Sequence, residues 1–138
     1  FTPHWGSIAV GIEKYLHPEM KVTTTIDAHP KCPAQLLADG NEKTFFRSNR
    51  RVKDGDTVLF EFEKPLDCRK ITIKTSHYII THAIVEISTD GERFIRSGWF
   101  DAEGDSEVIC TVPIKALRIV FTEPQYEERL VLQDLKIE

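Results

Sequence analysis

The chain has 138 residues, 41% of them hydrophobic, a size that suits one domain around one core. Its 18 Lys and Arg against 22 Asp and Glu give a formal charge of -4, which excludes a global positive excess of the kind that neutralises a nucleic-acid backbone. No stretch approaches the roughly twenty consecutive apolar residues of a membrane-spanning helix, and Phe1-Thr2-Pro3-His4 lacks the regions of a signal peptide, so the start reads as a domain boundary.

Residues 1–20, with Trp5, Gly6 and Gly11, show no clear period and are expected to be a leading segment or the remnant of a preceding domain; 21–138 read as the domain proper. Helical periodicity is almost absent there, whereas short alternating segments recur, as in half-buried strands. Lys21 to Asp27 reads as a strand through Val22, Thr24 and Ile26, and His29-Pro30-Lys31-Cys32-Pro33 as a loop, because proline cannot donate to a ladder. Pro33 to Ala38 is the one helical turn, closed by Asp39-Gly40. Thr57 to Phe62 puts Val58, Phe60 and Phe62 on one face, and Lys64-Pro65-Leu66-Asp67 separates it from Arg69 to Thr75, where Ile71 and Ile73 point inward.

Ala83, Val85 and Ile87 form the next inward row, ended by the hairpin chemistry of Ser88-Thr89-Asp90-Gly91. Phe94 starts the return strand; Trp99, after Gly98, could stack on a ring, but its strand-like setting leads to the expectation of burial. Glu107 to Val112, Leu117-Ile119-Phe121 and Leu130 to Ile137 complete about eight antiparallel strands, an all-β sandwich or jelly roll.

Cys32, Cys68 and Cys110 form no C-x-x-C pair, so neither a zinc site nor a disulfide ladder is expected, and at most one bridge. Cys110 alternates with Val108 and Val112 and reads as a small buried hydrophobe. The acidic series Asp101, Glu103, Asp105 and Glu107 surrounds Gly104 and reads as an exposed loop, without the pocket that tunes a carboxyl for acid/base work. With no nucleophile elbow, phosphate-binding glycine loop or zinc-type histidine pair, the expectation is a domain that is not an enzyme.

Four segments occur in a telling order: Pro33-Ala34-Gln35-Leu36-Leu37-Ala38-Asp39-Gly40-Asn41-Glu42-Lys43-Thr44-Phe45-Phe46-Arg47-Ser48; Gly55-Asp56 leading through Phe60-Glu61-Phe62 and Pro65-Leu66 to Ile71-Thr72-Ile73; Val85-Glu86-Ile87-Ser88-Thr89-Asp90-Gly91-Glu92-Arg93-Phe94; and Leu117-Arg118-Ile119 followed by Leu130 to Ile137 with Asp134. In this order they resemble the discoidin, or coagulation factor 5/8 type C, superfamily, including the carbohydrate-binding modules of family 32. The wording is most similar to accessory modules of bacterial β-hexosaminidase-type glycoside hydrolases, and more faintly to the lectin domain of N-acetylglucosaminyltransferase IV. Two departures stand out: Phe46 and Arg129 lie where many members carry Trp, and the cysteines do not clamp the termini.

The resemblance implies a discoidin-like jelly-roll fold and a structural calcium ion held by Asp39, Asn41, Thr44 and Asp134, oxygen donors of the kind calcium needs. The alternative is that Asp39-Gly40-Asn41 merely makes a turn. It also implies a glycan site in loops at one end of the sandwich. Four loops qualify: Asp27 to Lys31 with His29; Arg47 to Lys53 with Arg47, Asn49, Arg50 and Arg51; Ser76-His77-Tyr78 with His82; and Glu123 to Arg129 with Gln125 and Tyr126. Arg50, His77, Tyr78 and Tyr126 come first as ligand residues, although the tyrosines can equally pack a strand end, the histidines can be surface residues and the basic run can be a solvated face.

The expectation is therefore a carbohydrate-binding accessory module for N-acetylhexosamine- or galactose-containing glycans. Its partners would be the glycan and the catalytic domain of a parent glycoside hydrolase, its location secreted, periplasmic or cell-surface. The alternatives are a protein- or lipid-interaction module and a structural spacer.

Overall fold

The computed structural model describes residues 15–41, 43–75, 80, 82–100, 105–125 and 129–138. Among these, ten strands follow in order: β1 (Met20–Thr24), β2 (Phe45–Arg47), β3 (Thr57–Leu66), β4 (Lys70–Ile73), β5 (Ala83–Ser88), β6 (Ile95–Trp99), β7 (Ser106–Ile109), β8 (Ile114–Phe121), β9 (Val131–Gln133) and β10 (Lys136–Ile137). A five-stranded sheet has the order β1-β3-β8-β5-β6, a three-stranded sheet β10-β4-β7, and β2 pairs with β9; every pairing is antiparallel. The β-sandwich expected from alternation is therefore present, with ten strands in place of about eight.

Alternation builds the core directly. Val58, Phe60 and Phe62 of β3 and Leu117, Ile119 and Phe121 of β8 are buried, as are Ile71 and Ile73 of β4 and Val108 of β7. The long β8 lies between β3 and β5 and brings Ile114 into the same core. Removing these large side chains from water is the main stabilising term, about 1.5–3 kcal/mol for each.

Several expectations are corrected. The Pro65 segment does not end its strand: β3 runs through Leu66, with an irregular register against β8 between Glu61 and Leu66, where a proline's missing N–H is tolerated. The closing run splits into β9 and β10, because Gln133 donates its N–H to Lys74 O while Lys136 and Ile137 pair with β4. Val112 is half exposed and does not share the burial of Cys110.

Trp99 is the largest departure, at 66% exposed. Val85 pairs with Gly98 and the next residue, Glu86, pairs with Arg96, so Ser97 is an extra residue in β6. Such a bulge reverses the in-out parity beyond it, and Trp99 leaves the interior.

The helical turn is a 3-10 turn over Ala34–Ala38, preceded by Pro33. The Ser88 to Gly91 turn also forms: Gly91 has φ 84°. There the N–H groups of Arg93 and Glu92 and the Ser88 hydroxyl hold the Asp90 carboxyl down at about 2. Leu16 donates its N–H to Ile137 O at 2.7 Å, attaching the segment before β1 to the last strand.

Candidate functional site

Among the described residues, hydrogen bonds join the first, second and fourth of the loops singled out from the sequence and reach His82 at the end of the third. Ala28 and Ser48 form a bridge, and Asn49 N–H donates to Asp27 O at 2.7 Å, joining the first loop to the second. Ser48 then exchanges two hydrogen bonds with Leu130, and Gln125 N–H donates to Val52 O, joining the second loop to the fourth. The third arrives through His82, whose carbonyl accepts both the N–H and the hydroxyl of Thr122. His77, Tyr78 and Tyr126 lie outside the described residues.

Arg50 occupies the centre of the second loop with all five of its N–H groups in use. Nη1 and Nη2 bind the Asp56 carboxylate at 2.8 and 3.1 Å, Nε meets Asp27 Oδ2 at 3.3 Å, and the remaining N–H groups reach Arg51 O and Thr25 O. A guanidinium has five donors. The geometry therefore gives Arg50 a bracing role between loops, where the sequence put it first among ligand residues.

Burial alone would raise the Asp56 carboxyl, but hydrogen bonds from Arg50, the Lys53 N–H and the Thr25 hydroxyl outweigh it and bring it to about 2. Asp56 is not legible as an anchor in the sequence, since its partner Thr25 lies 31 residues away and Arg50 and Lys53 reach it only when their loop folds back. The basic run is thus not simply a solvated face: Ser48 and Val52 within it are also buried.

The other residues of this end keep polar capacity. His29 Nδ1 accepts the Lys31 N–H at 3.1 Å, which in the neutral ring leaves the proton on Nε2 as a donor. Arg47 Nε is shut off from solvent and has no hydrogen-bond acceptor among the described residues. Asn49 is exposed and its Oδ1 accepts from Arg129 Nη1 at 3.1 Å, so Arg129, noted from the sequence only as a departure, belongs to this surface. Gln125 is buried and its Nε2 reaches Glu123 O, so it shapes the fourth loop from inside.

Asp39, Asn41 and Thr44 lie elsewhere, in one loop after the 3-10 turn. Asp39 Oδ1 accepts the Asn41 N–H, Asp39 Oδ2 accepts the Thr44 hydroxyl at 2.6 Å, and Thr44 Oγ1 lies 2.8 Å from Asn41 O. The turn reading is therefore realised, with Gly40 at φ 73°. The same turn gathers carboxylate, hydroxyl and carbonyl oxygens, and Asp134 lines one cavity with Asp39. Asp134 Oδ1 is itself removed from solvent. Among the described residues no group of three or more His, Cys, Asp and Glu converges, which leaves two carboxylates plus neutral oxygens, a set of calcium character rather than zinc character.

All three cysteines are free thiols. Burial, then a hydrogen bond with Cys110, pushes the Cys68 thiol up to about 12, and burial raises Cys110 as well.

No protein-family model matches the chain, and no curated protein matches it. Solved structures do. A Clostridium perfringens family 32 module, CpGH89CBM32-5, in complex with GalNAc-β-1,3-galactose, is 19% identical with a TM-score of 0.64, over 86% of this chain and 94% of that one. The family 32 module of C. perfringens NanJ, in complex with galactose, is 16% identical with a TM-score of 0.67, over 89% and 97%. Chitosan-binding module 1 of a chitosanase/glucanase from Paenibacillus sp. IK-5 is 13% identical with a TM-score of 0.72, over 90% and 98%. At these identities the likeness is one of fold, and the chain has the discoidin-like β-sandwich of the family 32 carbohydrate-binding modules.

Proposed function

We propose that this domain is a non-catalytic carbohydrate-binding module that recognises N-acetylhexosamine- or galactose-containing glycans through its loop end, as an accessory to a glycan-processing enzyme. One observation supports the reading: described residues of the Asp27, Arg47 and Glu123 loops are hydrogen-bonded together, and His82 beside the third loop is tied to Thr122. Modules of the same fold hold galactose and GalNAc-β-1,3-galactose. Sugar hydroxyls need several fixed donors and acceptors, and His29, Asn49 and Arg129 offer them on a base stiffened by Arg50 and Asp56. His77, Tyr78 and Tyr126 are proposed to complete the surface.

The proposed calcium would be held by Asp39, Asn41, Thr44 and Asp134 and would supply charge neutralisation between the loop and the last strand, with no part in a reaction. Export to a secreted, periplasmic or cell-surface location fits the ligand class and is proposed with it.

Calorimetry with galactose, N-acetylgalactosamine and N-acetylglucosamine, beside a glycan array, tests the reading. Binding to at least one of them, weakened about tenfold in Asn49→Ala and Arg129→Ala, is the expected result. A folded protein that binds no glycan on the array would sink it and favour a spacer or protein contact.

A further inference from the structure

The bulge in β6 gives the molecule a second feature, beside β4 and β7. Ser97 is the inserted residue, and it sends Trp99 outward to 66% exposure. Trp99 lines a cavity of about 490 Å³ whose floor is formed by Lys70 and Thr72 of β4 and by Glu107 of β7, with Tyr15 also in its wall. That volume falls within the range of small-ligand sites. Bulges recur where a fold re-aims a side chain towards a functional surface.

The polar groups of this groove are held in place. Lys70 Nζ lies 3.1 Å from Glu107 Oε2 and 3.3 Å from Glu138 Oε2. Lys136 Nζ sits over the Tyr15 ring at 5.2 Å, and Ser106 Oγ donates to Trp99 O at 2.9 Å, fixing the backbone under the indole. Three lysines (Lys70, Lys74 and Lys136) face three carboxylates (Asp105, Glu107 and Glu138), so the lining carries no net formal charge.

That balance selects the ligand. A phosphate or sulfated chain would meet as many carboxylates as ammonium groups, and an apolar peptide would have to desolvate both. A neutral sugar suits the same lining: its hydroxyls bond to alternating donors and acceptors, and its C–H face covers an indole.

We propose that the Trp99 groove is a second glycan site, for a neutral oligosaccharide, on the β4 and β7 side of the third loop and apart from Asn49 and Arg129.

The test is to follow the Trp99 indole N–H resonance by NMR in the isotope-labelled chain, using Trp99→Phe to assign it. The probes are chitotetraose, cellotetraose, β-1,4-galactotetraose and a sulfated heparin tetrasaccharide. At least one neutral tetrasaccharide is expected to move the resonance; with the backbone amides of Thr72 and Glu107 as reporters in the variants, Trp99→Ala is expected to weaken binding about tenfold and Trp99→Phe to retain most of the affinity. The Asn49→Ala/Arg129→Ala double variant should leave the Trp99 response intact, which separates this site from the loop end. The proposal is overturned if no neutral tetrasaccharide moves the resonance, or if only the sulfated one does.

Discussion

Arg50 and Asp56 face each other in a bidentate pair, Nη1 to Oδ2 at 2.8 Å and Nη2 to Oδ1 at 3.1 Å, at the point where the second loop turns into β3. Asp56 is buried and its carboxyl is held at about 2, against an ordinary value of 3.8. A lowered carboxyl stabilises the fold above its unfolded value and loses that contribution as pH falls through the folded one. Stability should therefore drop by about 2 kcal/mol between roughly pH 5 and pH 2 on account of this group. Asp56→Asn should be less stable than the parent at neutral pH by at least that amount and should lack this part of the acid loss. Urea unfolding at both ends of the window checks it, and an unchanged acid dependence in the variant would count against the assignment. Arg50→Lys should also destabilise, since an ammonium cannot reproduce five fixed donors.

Cys68 offers a chemical test of the interior. With its thiol at about 12, only about one part in ten thousand is thiolate near pH 8. Iodoacetamide should leave Cys68 unmodified in the native protein and label it rapidly in concentrated guanidinium, as read by peptide mass spectrometry. Native labelling at the unfolded rate would show that the site opens freely.

These two cases mark how far the sequence is legible. The Val58, Phe60 and Phe62 row is readable because burial in a strand is written with a period of two, whereas Cys110 is buried just past the end of β7 while Val112 is exposed. The link between the Asp27 and Arg47 loops is made by backbone hydrogen bonds that no pattern in the sequence marks. Trp99 is misread because a single extra residue, Ser97, reverses the parity and leaves no mark in composition. Arg50 is misread for a different reason. Its type suits a ligand clamp, but its role depends on Asp27 and Asp56, which the chain brings to it only on folding. Sequence shows the side chains available for a site; which of them the fold uses internally is settled by tertiary partners.

The calcium proposal leads to a measurement of stability. If Asp39, Asn41, Thr44 and Asp134 hold the ion, calcium at a hundredfold excess over its Kd stabilises the fold by about 2.7 kcal/mol. The melting temperature should rise with calcium and fall back with EGTA, and magnesium should substitute poorly because it demands a smaller octahedral shell. Asp39→Asn should abolish the rise. Identical melting with calcium and with EGTA would leave the loop as the hydrogen-bonded turn already formed by Asp39 and Asn41.

Ser48 connects stability to the proposed glycan end most directly. It is fully buried; its Oγ accepts the Leu130 N–H at 2.7 Å and its own N–H donates to Leu130 O at 2.9 Å. Ser48→Ala keeps the backbone bond but leaves the Leu130 N–H buried without that acceptor, which costs about 1–3 kcal/mol. The lost bond lies one residue from both Asn49 and Arg129, whose side chains meet at 3.1 Å on the surface above it. The loss should therefore appear locally as well as globally: faster hydrogen exchange at the Leu130 amide, and weaker glycan binding than the drop in global stability alone would produce. A Ser48→Ala protein that unfolds more easily yet shows parental exchange at Leu130 would place the cost elsewhere in the core.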